Sequence, residues 1–483
     1  MKRSLNPRAV IRILGLILIM LGASMFLALF VSLIYRDGDS LGISISAFVS
    51  IIFGFIMIKG AGKEMDLSTR DGFAVVTFGW MIMGIAGALP YLFTNSIPNI
   101  TNALFESVSG FTTTGASILT DIESLPHGIL FWRSFTHWIG GMGIIVFSIA
   151  ILPFLGVGGM QMFKAESPGP TADKLTPRIK STAEILWGVY VLITILEIIL
   201  LMLGGMDWFD STCHAFGTLA TGGFSTKNAS IAHYSSPYIQ YVITFFMVVA
   251  GVNFSLHYYA LRGKFNRYWN SREFRFYIWL ILGCIVIVTI FRLFDGIGLE
   301  QSFREGAFQV AAIISTTGYA TADFELWHPL AQVILVGLMF IGGMAGSTGG
   351  GMKTMRIQIL LKQARVELHK LVHPSSIYPI RLGRKVIQDD IVANVLAFFL
   401  LYALLLMVGV LIMAALGLDH VTSFTSVVAC LSNIGPGLGD VGPTDNYASI
   451  PSFGKWILSF LMIAGRLEIF TVLVLLTRTY WSK

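Results

Sequence analysis

Residues 307–319 read AFQVAAIISTTGY. An apolar run ends on Ser315, Thr316, Thr317 and Gly318, and the polar stretch ATADFELWH (320–328) follows. Hydroxyls before a glycine are turn chemistry, yet the chain around them is that of a membrane protein. Of its 483 residues 55% are hydrophobic and only 12% charged, where a soluble domain has about 25% charged. The string also recurs. Similar loops end at Gly115 (TTTG), Gly222 (LATG), Gly318 (STTG) and Gly435 (SNIG), which stand 107, 96 and 117 residues apart. One unit of about 100 residues therefore occurs four times, and that repeat organises everything else.

Each glycine loop lies between two apolar runs long enough to span a bilayer, for which about 20 residues suffice. The runs cover 72–93 and 129–159, 183–205 and 237–261, 274–294 and 328–368, and 389–417 and 454–478, with two more in front at 8–35 and 42–60. The first exceeds the apolar core of a secretory signal, about 7–15 residues, and lacks a small-residue cleavage site, so it reads as a span. Short amphipathic pieces such as TNALFESVSG (101–110) precede the loops. The expected organisation is two N-terminal transmembrane helices (1–70) and four repeats (71–180, 181–272, 273–386 and 387–483). Lys2, Arg3 and Arg8, then Lys59, Lys63 and Arg70, then Lys164, Lys174, Arg178 and Lys180, then Arg262, Lys264, Arg267, Arg272 and Arg275, then the segment from Lys353 to Lys385, alternate with poorly charged loops. By the positive-inside rule both termini are cytoplasmic and the glycine loops face outward. Basic cytoplasmic loops account for the net charge of +6 without nucleic acid. They suit either anionic lipid or a docked protein. Cys213, Cys284 and Cys430 form no metal-type CxxC and read as packed free thiols.

A loop that enters and leaves on one side must be enclosed by protein or line water. Four of them can converge on one axis. A dehydrated cation needs several oxygen ligands at once, and backbone carbonyls supply them without net charge, as in the TVGYG loops of potassium channels. Glycine permits the positive φ that lets neighbouring carbonyls point the same way, and the short helix aims its partly negative C-terminal end at the axis. The fold expected is an all-α polytopic membrane protein with four pseudo-symmetric, potassium-channel-like membrane–pore-loop–membrane repeats after two extra helices.

With FTTTGA (111–116), GGMGIIVFSIAILPFLGVGGMQ (140–161), GGFST (222–226), FIGGMAGSTGGGMKTMRI (340–357), LVHP (371–374), NIGPGLG (433–439) and GRLEIFT (465–471), the chain resembles, over essentially its whole length, the TrkH branch of the TrkH/KtrB/HKT superfamily of cation transporters. That resemblance implies potassium uptake across the bacterial inner membrane by a homodimer, with a TrkA-like cytoplasmic ring that binds the regulatory nucleotide in place of this chain. Potassium is then substrate, and no covalent cofactor is expected. Carried over by residue, the filter and potassium site comprise Thr113, Thr114 and Gly115, then Thr221, Gly222 and Gly223, then Thr316, Thr317 and Gly318, then Asn433, Ile434 and Gly435. In plant relatives a serine at the first glycine accompanies sodium transport, and Gly115 here favours potassium. Pro436 stands where the third loop has Tyr319, so the four loops are not equivalent and selectivity over sodium is expected to be moderate.

The run from His328 to Leu368 would be about 60 Å of helix, twice the bilayer core of about 30 Å. Its middle, AGSTGGG (345–351), argues for a break. Gly346, Ser347, Thr348, Gly349, Gly350 and Gly351 are thus candidates for an intramembrane gate, as the resemblance also implies. A phosphate-binding loop does not fit, because Met352 stands where that motif needs lysine and no strand precedes it. Arg466 is a charge within an apolar span and by default functional: a barrier that sets flux, or a tether for glycine-loop carbonyls. His137, Asn253 and His257 read as helix–helix hydrogen bonds. Glu106, Asp210, Asp323 and Asp440 are candidate mouth charges. A sodium- or proton-coupled symporter on the same scaffold stays open, with Glu197 as its clearest carrier. An enzyme is disfavoured, since neither HExxH nor GxSxG is present.

Overall fold

A computed structural model describes residues 5–62, 68–150, 179–375, 378–383 and 385–482. Within it α1 (Pro7–Tyr35) begins at Asn6, whose side chain accepts from Ala9 N–H, with Pro7 in the first turn where its missing N–H costs nothing. α1 and α2 (Ser40–Ala61) form an antiparallel hairpin in close backbone contact. A Cβ on Gly15 would stand 2.7 Å from the Gly54 carbonyl, and one on Gly22 2.8 Å from that of Ala47, which is how small residues let apolar helices approach. α3 (Thr69–Phe93) starts in a capping box between Ser68 and Asp71.

From α3 onward the order long helix, short helix, loop, helix occurs four times. The first set is α3, α4 (Ile100–Phe111) and α5 (His127–Ala150). α6 (Ile179–Leu203), α7 (Trp208–Ala220), α8 (Pro237–Ala250) and α9 (Phe254–Leu261) follow. Then come α10 (Arg272–Phe294), α11 (Leu299–Ile314), α12 (Pro329–Ile341) and α13 (Thr354–Val372). The last set is α14 (Asp389–Ala415), α15 (His420–Leu431), α16 (Ser452–Arg466) and α17 (Phe470–Leu473). α1, α2, α3, α6, α10 and α14 are long and apolar enough to cross a membrane, and α8–α9 and α16–α17 are bent pairs, at 104° and 111°, that pass the same test together. The protein is an all-helical polytopic membrane protein; among the described residues the exception is a small ribbon, in which Arg381–Leu382 pairs antiparallel with Lys385–Val386. The part of the 129–159 run beyond Ala150, with the basic residues Lys164, Lys174 and Arg178, lies outside the described residues, as do Lys2, Arg3 and Lys63.

The runs at 237–261 and 454–478 read as continuous spans, and the structure breaks both. The first turns at Gly251, where Asn253 caps α9 by accepting from Ser255 N–H at 2.8 Å. The second turns at Glu468 and Ile469, at φ +59° and +48°, a region costly for a β-branched side chain. The four short helices lie inside. α4, α7, α11 and α15 are buried along most of their length, and the long helices form the shell around them. Asn6, Asp71 and Tyr480 meet at one end of the bundle, where Asn6 N–H donates to Asp71 and Tyr480 Oη to the Arg70 carbonyl. Asp37 and Asp39 cap the start of α5 at the other end.

Candidate functional site

The four short helices end alike. In each, a residue in the left-handed region donates its N–H three residues back and the next residue donates five back, the double bond of a Schellman cap. The pairs are Thr113 to Gly110 and Thr114 to Ser109, Thr221 to Thr218 and Gly222 to Gly217, Thr316 to Ile313 and Thr317 to Ala312, and Asn433 to Cys430 and Ile434 to Ala429. The left-handed residues are Thr113, Thr221, Thr316 and Asn433, at φ +51° to +62°. Three are β-branched, and such strain persists only where the surroundings over-determine it. Two residues later comes a glycine with φ between +79° and +100°: Gly115, Gly223, Gly318 and Gly435. The second loop's counterpart of Gly115 is thus Gly223, one residue beyond the Gly222 that the sequence spacing picks out.

These glycines lock the loops into a closed ring. A Cβ on Gly115 would run into the Gly222 carbonyl, one on Gly223 into that of Thr317, one on Gly318 into that of Ile434, and one on Gly435 would lie 2.7 Å from that of Thr114. The order is one, two, three, four and back to one. Among the described residues, the carbonyls of Thr114, Gly222, Thr317 and Ile434 accept no hydrogen bond. A buried carbonyl normally has a donor, so this ring of vacant acceptors is suited to a cation stripped of water. The side chains turn elsewhere. Thr114 and Thr317 hydroxyls pair with Thr112 at 2.8 Å and Ser315 at 2.7 Å. Asn433 Nδ2 donates to Thr114 Oγ1 at 3.0 Å and to the Met462 carbonyl at 2.9 Å.

The wall behind the ring is polar. Glu106 is fully buried and pairs with Arg133 at 2.7 Å, while accepting from Ser117 Oγ and Ile118 N–H. Arg133 also donates to the Ser225 carbonyl at 2.9 Å and lies over the Phe224 ring at 3.6 Å. Glu106 is therefore a brace between the first two loops, and its charge does not reach the mouth. Asp210 is likewise buried, bonded by Thr226, Tyr234 and Lys227. Asp440 is exposed and Asp323 partly so. His137 joins two helices, α5 to α4, where Nδ1 meets the Gly110 carbonyl at 2.8 Å, and it also holds the second loop, where Nε2 accepts from Phe224 N–H at 3.2 Å. Tyr319 Oη points to the carbonyls of His214 and Phe224. Arg133 and Tyr447, which bonds the Gly435 carbonyl at 2.7 Å, have no sequence signal beyond being polar or amphipathic in apolar surroundings.

Against the base of the ring lies the segment 342–353, between α12 and α13. Gly350 N–H donates to Thr316 Oγ1 at 2.6 Å, and Gly351 N–H to the Ser432 carbonyl at 3.0 Å. Thr348 Oγ1 meets the Leu219 carbonyl at 2.9 Å, Met344 N–H that of Gly251 at 2.8 Å, and Asn253 Nδ2 that of Ala345 at 2.8 Å. Phe254 N–H donates to the Gly346 carbonyl at 3.1 Å, and Ser347 Oγ closes a local turn onto Met344. Arg466 donates to the Thr348 carbonyl at 2.6 Å and to Gly140 at 3.2 Å, and Lys353 Nζ to Gly349. Of the two carbonyls that Arg466 meets, Thr348 belongs to the glycine segment and Gly140 to α5. Arg356 pairs with Glu468 at the break after α16. His257 props the α8–α9 bend, between Tyr268 Oη and the Val249 carbonyl.

A family profile described as TrkH, a cation transport protein, matches residues 42–482. The Trk system potassium uptake protein TrkH of Salmonella typhimurium strain LT2 is 45% identical over 483 residues, 99% of each chain, and that of Escherichia coli strain K12 is 44% identical over the same span. The crystal structure of the potassium transporter TrkH from Vibrio parahaemolyticus superposes with a TM-score of 0.91 at 38% identity, over 99% of this chain and 100% of that one. On these grounds, and with the geometry above, the chain belongs to the TrkH family of cation transport proteins.

Proposed function

We propose that the chain is a potassium uptake subunit of the bacterial inner membrane, conducting through a filter made of its four loops. The observation that carries this reading is the closed ring of Thr114, Gly222, Thr317 and Ile434 carbonyls, each vacant and each lying where a Cβ on the preceding loop's glycine would fall. On this reading residues 71–180, 181–272, 273–386 and 387–483 are pseudo-symmetric membrane–pore-loop–membrane repeats behind the hairpin 1–70. Thr113–Gly115, Thr221–Gly223, Thr316–Gly318 and Asn433–Gly435 line the ion path. Residues 346–351 and Arg466 close it from the cytoplasmic side, the side on which both termini lie. The names of the relatives support potassium as the substrate. A homodimer set in lipid, with a TrkA-like ring that carries the nucleotide, completes the system.

Rubidium uptake into proteoliposomes under an inside-negative potential, with sodium as competitor, tests the reading. Uptake driven by voltage alone and weakly blocked by sodium is expected. The coupled alternative keeps Glu197, a fully buried acid on α6 beside Thr218. It predicts uptake only when a sodium or proton gradient is imposed.

A further inference from the structure

We propose that the outermost layer of the ring is three-sided: Tyr447 and Pro436 hold the Gly435 carbonyl out of the ion path, and a potassium ion there keeps a water in the vacant quadrant. This rests on the reading of the four loops as a potassium filter. In the second loop the peptide between Gly223 and Phe224 turns its N–H to the wall, where His137 Nε2 accepts it at 3.2 Å. A trans peptide sets its C=O opposite its N–H, so the Gly223 carbonyl faces away from that wall. The fourth loop cannot copy this. The residue after Gly435 is Pro436, which has no N–H to give. The peptide there presents its carbonyl to the wall instead, and Tyr447 Oη donates to it at 2.7 Å.

Tyr447 is placed for that task. It is 2% exposed, and its ring lies 5.5 Å from that of Phe105 on α4. Its N–H donates to the Ser117 carbonyl at 2.8 Å, and the Cys430 thiol of α15 lies beside its hydroxyl. These partners belong to the wall, so the hydroxyl pulls outward. The carbonyls of Gly115, Gly223 and Gly318 accept no hydrogen bond among the described residues. Gly435 also differs in φ, at +100° where the other three stand at +79° to +81°.

The two layers then differ in kind. The inner layer surrounds an ion with four carbonyls and demands that it shed its water on every side. The outer layer offers three carbonyls and one open quadrant. A partly hydrated ion is captured there, and discrimination against sodium is left to the inner layer. Tyr447 acts through Gly435 and is a positioning residue.

The test is rubidium uptake, with sodium competition, by proteoliposomes of the full chain and of Pro436→Ala, Tyr447→Phe and the double variant. Pro436→Ala restores the N–H and leaves every wall side chain in place. Tyr447→Phe keeps the ring and removes the donor, so the buried carbonyl loses its protein partner and the ion becomes its best one. Expected is a half-saturation constant for rubidium lower by roughly fivefold in the double variant, about one net polar interaction, with the single variants shifted the same way by less. Sodium should inhibit correspondingly less, and the maximal rate should not rise. Unchanged constants in all three would overturn the inference. So would weaker rubidium affinity with stronger sodium inhibition, because the hydroxyl would then be a brace that keeps the loop in shape. If Tyr447→Phe does not fold, Pro436→Ala alone decides by the same two readings. A wild-type chain with no voltage-driven uptake overturns the filter reading itself, a failure told apart by needing no variant.

Discussion

Arg466 puts a guanidinium within the fold at the level where the ring meets the segment beneath it. A cation beside the proposed ion path is tolerable because its charge is met by carbonyls, those of Thr348 and Gly140. The first bond reaches the segment 342–353 and the second reaches α5, so the side chain links the two. On the proposed gating reading Arg466→Ala removes the barrier and the tether together, so uptake by the purified chain should rise at least about tenfold, the weight of one hydrogen bond to a charged group. Arg466→Lys keeps the charge but not the fork and should fall between. The same uptake, with the same regulation, in Arg466→Ala would remove this residue from the gate. Residues of this kind were legible in the sequence because a charge in an apolar run is conspicuous. Gly223 was less so: LATG and TTTG align by eye on Gly222, whereas the triplet carried over by resemblance ends on Gly223, and the backbone angles put Gly223 in the conformation of Gly115. Glu106 and His137 were visible as polar residues, but their work behind the loops depends on contacts between separate repeats, which no local pattern encodes.

At the scale of elements, the segment 342–353 and the third loop share a bond that separates two threonines of equal conformation. Thr316 Oγ1 accepts from Gly350 N–H, whereas Thr113 Oγ1 is buried and unpartnered. Valine has nearly the shape of threonine. Thr316→Val strands a buried N–H, a cost of about 1–3 kcal/mol, and should loosen the segment, seen as rubidium leak through the purified chain. Thr113→Val strands nothing and should leave leak unchanged. Equal leak in the two variants would show that the shared bond does not seat the segment. The break that creates it could be read in advance, since four glycines in seven residues defeat a helix too long for a bilayer. The bends after α8 and α16 could not. Gly251 and Asn253 are unremarkable within an apolar run, and the turn at Glu468 rests on the ion pair with Arg356, a residue more than a hundred positions away.

For the whole molecule, the ring is only as attractive to cations as the mouth that feeds it. Beyond the third and fourth loops Glu325 stands near Asp323, Asp440 and Asp445, with its Oε1 accepting from Gly439 N–H. Partial burial holds the Glu325 carboxyl above its usual range. The Gly439 hydrogen bond works against that shift, and the three neighbouring carboxylates add to it. The sign follows directly. An acid with a raised pKa takes up its proton at a higher pH than an ordinary carboxylate does as the pH falls, and loses its charge first. Negative charge at a mouth raises the local cation concentration, most strongly at low ionic strength. The half-saturation constant for rubidium should therefore rise as the outside pH is lowered from about 7.5 to about 5.5, a range that approaches the carboxylates from above. Glu325→Gln, which cannot ionise, should start with a constant about twofold higher, as expected for one partly screened charge, and should show a flatter pH dependence. High salt should erase the difference between the two chains. If wild type and Glu325→Gln keep the same slope with pH at low salt, the acidic mouth takes no part in gathering ions, and capture begins at the ring itself.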